Sequence, residues 1–174
     1  MIGRLPLFKP DVLKYCILII QLFFDVRNDA DALFNIYEVE LSNVYDLQLL
    51  DVASRRSRNI PVRFVCGLTK CIELYVSPPS AWKEAKETGN RLFSPEKGGS
   101  YAVFEKRPMD PRIREYCAQD VALTFQLEAA MKKTIVGEGW EERILLGSAN
   151  RLAESKRSDY DGRRGRHHAI APIF

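Results

Sequence analysis

Three side chains in this sequence could act together in chemistry: Tyr116 and Asp120, four residues apart, and an acid far upstream, Asp29. A spacing of four on a helix puts a phenol and a carboxylate on one face, one turn apart. The carboxylate can hold a divalent cation while the hydroxyl orients a water. The same spacing also suits an ordinary helix with one exposed acid and one half-buried tyrosine, so the elements that carry these residues decide their weight.

Residues 107 to 127, RPMDPRIREYCAQDVALTFQL, hold the pair. Ile113, Cys117, Val121 and Phe125 recur every four residues, with Tyr116, Leu123 and Leu127 between them, which predicts a helix with one buried stripe. Pro108 and Pro111 precede it, where proline starts a helix without interrupting one. Upstream, the run Ile17 to Phe24 is rich in Ile, Leu and Phe and ends at charged residues, as a buried central strand does. The apolar run from Leu13 to Phe24 is too short to span a bilayer as a helix. Asp25, Arg27 and Asp29 argue against reading it as a leader peptide. Asn28 or Asp29 is placed to cap a helix through Ala30, Leu33, Phe34 and Tyr37, where an acid also suits the helix dipole. Val44 to Leu50 reads as a buried strand or a helix start, with Asp46 a structural residue.

Residues 54 to 63 read as a basic linker in which Arg55 and Arg56 are either solvated or in contact with phosphates. Short helices are expected over Gly67 to Tyr75 and over Ser80 to Asn90, the second with Ser80 as cap and Trp82 as anchor. Residues 91 to 107 carry Pro95, Gly98 and Gly99 and read as a loop. A last helix is expected from Trp140 to Leu152. The division expected is a domain over 1–152 and a basic, irregular tail over 153–174.

The 174 residues, 46% hydrophobic and 28% charged with net charge +3, suit one globular domain and are compatible with a polyanionic partner without arguing for one. Cys16, Cys66, Cys71 and Cys117 form no C-x-x-C pair and have no nearby histidine, which fits core cysteines of a reducing, intracellular compartment. There is no glycine-rich phosphate loop and no Ser-His-Asp arrangement.

Arg107-Pro108, a short gap and then Tyr116-x-x-x-Asp120-Val121 closely resemble the third motif of the DEDDy 3′–5′ exonucleases, the group that includes ribonuclease D and the Werner-type exonuclease domain. The stretch from Phe24-Asp25-Val26-Arg27-Asn28-Asp29 through Phe34, followed by Val44-Tyr45-Asp46-Leu47, is similar to the second motif. The resemblance runs from about Leu22 to about Met131. It implies an α/β, ribonuclease-H-like exonuclease fold and hydrolysis of nucleic acid, RNA or DNA, from a single-stranded 3′ end. It further implies two Mg²⁺ or Mn²⁺ ions held by four carboxylates. Asp29 and Asp120 would be metal-binding carboxylates, Tyr116 the catalytic hydroxyl, Lys97 and Lys106 would face the approach to the site, and Arg55, Arg56 and Lys97 would contact nucleic acid.

One part of that pattern is missing. The family's first motif is Asp-x-Glu, and no such pair precedes Asp29, where Asp11 is the only acid among residues 1 to 24. The expected fold is therefore N-terminally incomplete and helix-rich, with an exposed strand edge, and the expected activity is impaired. Two alternatives stand beside this reading: a catalytically inactive nucleic-acid-binding or scaffold protein of the same fold, and a helical interaction module whose motif matches are fortuitous.

Overall fold

The computed structural model describes residues 19–162 and 169–173. The chain divides into two compact units, Met1–Cys66 with Met131–Phe174, and Gly67–Ala130.

The first unit is built on a two-stranded parallel sheet, β1 (Gln21–Phe23) beside β2 (Val44–Asp46), with Leu22 opposite Tyr45. The connection between them is helix α1 (Arg27–Tyr37), as a parallel pair requires. β2 runs directly into α2 (Leu47–Ser57), and α7 (Trp140–Ser155) packs across β2, α1 and α2. Val26, Ala30, Leu41, Val44 and Leu152 form the core here, with Phe23 and Leu33 against it. On α7 the buried positions Ile144, Gly147, Ser148, Arg151, Leu152 and Ser155 follow the 3–4 spacing of one helix face.

Asp46 joins these elements. It is fully buried, ends β2 and caps α2 by accepting from the Gln48 amide at 3.0 Å. Its carboxylate also accepts from the amides of Asp25 (2.9 Å) and Val26 (3.1 Å) at the start of α1. Arg151 of α7 donates to it at 2.7 Å and to the Gln48 side chain, also at 2.7 Å. One anion thus serves two helix N-termini, whose free amides favour negative charge. The cap of α1 is therefore not Asn28 or Asp29, as expected from sequence: Val26 is the N-cap without a side-chain bond, and a distant aspartate does the work. The expected central strand over Ile17 to Phe24 is confined to Gln21–Phe23 in the described residues and is only half-buried, with Ile19 and Ile20 exposed.

The expected basic linker at 54–63 is in part helix, because α2 continues to Ser57. Beyond α7, Tyr160 donates to Asn28 at 2.6 Å, and the Tyr160 phenol is pushed up to about 12, first by burial. Ala169–Pro172 lies against Arg63–Val65: Phe64 and Ile170 form an antiparallel bridge, Val65 donates to the Ala169 carbonyl at 2.9 Å, and Ala171 to that of Arg63 at 3.0 Å. The C-terminal segment is thus tied down at both described stretches, while Arg163 to His168 lie outside the described residues.

The second unit is helical: α3 (Leu68–Tyr75), α4 (Ser80–Phe93), α5 (Pro111–Ala122) and most of α6 (Thr124–Lys132). Ser80 is the first residue of α4 and not its cap; Pro79 holds that place without a side-chain bond. The expected loop over 91–107 contains the last turn of α4 and two 3₁₀ turns, Pro95–Lys97 and Tyr101–Phe104. α5 begins as its prolines suggest, with Pro111 in the first turn and the Asp110 side chain accepting from the Arg112 amide at 2.8 Å. Arg112 also holds the Asp110 carboxyl down to about 2, well below the usual carboxylate range.

The expected buried stripe of α5 is corrected. The expected stripe runs over two helices, since α5 ends at Ala122: Ile113 of α5 and Leu127 of α6 are buried, but Cys117 is exposed, Val121 is 65% exposed and Phe125, in α6, 75% exposed. A strict period of four drifts around a 3.6-residue helix. The face of α5 turned inward instead follows Ile113, Tyr116 and Asp120, at spacings of three and four.

Candidate active site

Tyr116 and Asp120 do share a face of α5, and that face meets α4. The facing stripe of α4 is Trp82, Lys86, Gly89 and Phe93, at helical spacing. Trp82 is buried and its indole N–H donates to the Gln119 carbonyl at 3.1 Å. Gly89 lies flush against Tyr116: a Cβ on it would stand 2.4 Å from the Tyr116 Cβ. The Phe93 ring packs edge-on to Tyr116 at 5.1 Å between centroids, backed by Phe104 at 5.3 Å and Tyr101 at 5.8 Å. The tyrosine ring is therefore fixed in orientation before anything binds.

Lys86 is the residue that sequence reading missed. Its ammonium pairs with the Asp120 carboxylate and sits 3.6 Å from the centroid of the Tyr116 ring, a cation–π contact. The Lys86 side chain is only 10% exposed, whereas that of Asp120 is 36% exposed. A lysine in a polar helix reads as solvated. The available signal was its place on the same stripe as Trp82 and Phe93. Burial pushes the neighbouring Cys117 thiol up, Asp120 adds to that, and Lys86 opposes it.

Asp29 lies in the first turn of α1, exposed, in the other unit from Tyr116 and Asp120. Its neighbours are committed elsewhere. Asp25 receives Arg27 through two bonds of 2.7 and 2.8 Å, and Asp31 accepts from Asn35 at 2.7 Å. The basic residues expected to meet phosphates are held by their own chain. Arg55 pairs with Asp51 at 2.5 Å, Arg56 donates to the Pro172 carbonyl, and Lys97 donates to both Glu87 oxygens at 3.2 Å.

The donor set can be compared with a divalent-metal site. Within either unit, among the described residues, no three Asp, Glu, His or Cys side chains bring their ligand atoms together. In the second unit Asp120 offers one carboxylate, already paired with an ammonium, beside one phenol. That set does not fit two divalent ions, which need several carboxylate oxygens to offset their mutual repulsion. What the unit does provide is a rigid phenol and a carboxylate held on one helix face.

The sequence profile of a family described as 3′-5′ exonuclease matches residues 17–136, which contain Asp29, Tyr116 and Asp120. The chain belongs to this exonuclease family. The crystal structure of Trypanosoma brucei RNase D superposes on it with a TM-score of 0.58 and 22% sequence identity, covering 94% of this chain. The match takes in 56% of the trypanosomal chain, so the present chain spans little more than half of that protein's length. No curated protein matches the sequence. The helix-rich architecture with its small parallel sheet is that of a ribonuclease-H-like exonuclease fold in reduced form. Among the described residues no helix is long and apolar enough to cross a membrane.

Proposed function

We propose that this chain is an intracellular nucleic-acid-binding member of the 3′–5′ exonuclease family whose phosphodiester hydrolysis is impaired in the sequence as given. In this reading Asp29 is the second-motif carboxylate, Asp120 the third-motif carboxylate, and Tyr116 supplies the hydroxyl one turn before Asp120. The substrate class is a single-stranded 3′ end of RNA or DNA. The family match across both motifs supports the assignment. The observation that carries the impairment is the Lys86 ammonium on Asp120. A carboxylate neutralised by an ammonium gives up the charge with which it would help to hold a pair of Mg²⁺ or Mn²⁺ ions. Without that pair the chemical step lacks several kcal/mol of transition-state stabilisation, roughly orders of magnitude in rate.

The same ion pair favours a second reading, a catalytically inactive binding or scaffold protein that keeps the fold. Both readings predict salt-sensitive binding to nucleic acid. Contacts at Arg55 and Arg56 would compete with the bonds these residues make inside the chain, and Lys97 would have to leave Glu87.

The test is a 3′-labelled or 5′-labelled single-stranded oligonucleotide incubated with purified protein in Mg²⁺ or Mn²⁺, beside Asp29→Ala and Asp120→Ala. Negligible shortening with retained, salt-sensitive binding is expected. Robust shortening from the 3′ end that both substitutions abolish would overturn the impairment. Absence of binding at low salt would overturn the nucleic-acid reading.

A further inference from the structure

We propose that Lys86 is the resident cation of Asp120, so that the third-motif acid of this chain serves as the clamp between α4 and α5 and is closed to divalent ions. The proposal rests on reading Asp120 as the family's metal-binding acid, but its test reads ion binding and not turnover.

The stripe of α4 that faces α5 is otherwise Trp82, Gly89 and Phe93, so an ammonium at Lys86 emerges among apolar neighbours. A charge in such a place needs a partner. It has two: the Asp120 carboxylate, and the Tyr116 ring face at 3.6 Å. The lysine has little freedom to leave. One turn before it, Trp82 is bonded to the Gln119 carbonyl at 3.1 Å. Three residues after it, Gly89 lets the two helices meet so closely that a Cβ would stand 2.4 Å from Tyr116. The backbone that carries Lys86 is thus pinned to the backbone that carries Asp120 on both sides of the ion pair. A divalent ion approaching Asp120 meets a pair of zero net charge, with a positive group already on the carboxylate and repulsive at a few ångströms. Lys86 is a positioning residue in this scheme: it acts on Asp120 and on Tyr116, not on substrate.

Mn²⁺ alone is the probe. Its free electron-paramagnetic-resonance signal, lost on binding, is titrated with the full chain as wild type, Asp120→Asn, Lys86→Met and the double variant, each checked by near-ultraviolet circular dichroism. Wild type and Asp120→Asn are expected to bind Mn²⁺ alike. Lys86→Met is expected to bind it about tenfold more tightly, the gain being lost in the double variant. Weaker binding by Asp120→Asn than by wild type would overturn the proposal, because Asp120 would already be a ligand. So would a folded Lys86→Met that binds no more tightly than wild type. Should Lys86→Met fail to fold, the comparison of wild type with Asp120→Asn decides by itself. Failure of the exonuclease reading shows separately, in the oligonucleotide experiment.

Discussion

Gly89 and Tyr116 are in such close contact that a methyl group on the glycine would stand 2.4 Å from the tyrosine Cβ. The atom it would meet is fixed to the backbone of α5, so relief requires the two helices to separate. In an open helix, glycine to alanine favours the helix by about 1 kcal/mol. Overpacking of a close contact costs about 1–3 kcal/mol or more. Overpacking wins here, and Gly89→Ala is expected to lower the thermal midpoint and to weaken the near-ultraviolet signal of Tyr116 and Trp82. A variant more stable than wild type would show that the helices are not in contact at this point.

Asp46 gives a second prediction. One of its oxygens takes the amides of Asp25 and Gln48, the other the Val26 amide and the Arg151 guanidinium. Asparagine at this position turns one of those oxygens into a donor facing two donors. Breaking a buried pair from one side costs about 3–5 kcal/mol. Asp46→Asn and Arg151→Met should each lower the urea midpoint strongly. The double variant should cost clearly less than the sum, since the unpaired charge is then gone. Additive effects would mean that the two side chains act independently.

The contrast between these two sites shows what the sequence could convey. The order of helices was legible because Pro78-Pro79, Pro108 and Pro111 punctuate the chain. Tyr116 and Asp120 were correctly assigned to one helix face because residues four apart must share one. Which face of α5 is buried was not legible. Cys117 and Val121 are apolar, yet it is Tyr116 and Asp120 that turn inward, and the presence of α4 selects between the stripes. Lys86 and Gly89 were invisible for a related reason: each looks like a weakness or a solvated position in its own helix, and acquires its role from a helix about thirty residues on. The trans cap of α1 by Asp46 is likewise a long-range contact with no local signature.

Asp110 makes the start of α5 sensitive to acid. Its carboxyl is held at about 2, first by the side-chain bond from Arg112 and then by the Arg112 amide, down from the usual 3.8. The folded value is depressed, so its contribution to stability is fully present above the unfolded value and is lost as the pH falls through the folded one. The stability difference between wild type and Asp110→Ala should therefore be constant from neutral pH to about pH 5 and shrink between about pH 4 and pH 2. Unfolding curves of both proteins at each pH would measure it. A difference that grew on acidification would reverse the sign and exclude Asp110 as an ionised cap.

Arg56 is predicted to act on the C-terminal segment. Its guanidinium donates to the Pro172 carbonyl and to that of Val62 at 3.5 Å, bridging the end of α2 to Ala169–Pro172. Among the described residues, main-chain bonds from Val65 to Ala169 and from Ala171 to Arg63 also tie that segment. Burial and the neighbouring Arg55 both push the Arg56 guanidinium down from its ordinary value. A hydrogen bond from a charged donor is worth about 1.5–3 kcal/mol, comparable with what a short two-bond bridge can contribute. Arg56→Ala should therefore open the segment without unfolding the unit. Amide exchange at Val65 and Ala171 is expected to accelerate by roughly tenfold or more, while amides in the middle of α7 keep their protection. Equal acceleration everywhere would indicate global destabilisation. Unchanged exchange at Val65 and Ala171 would show that the bridge stands without the arginine, leaving Arg56 available for a phosphate.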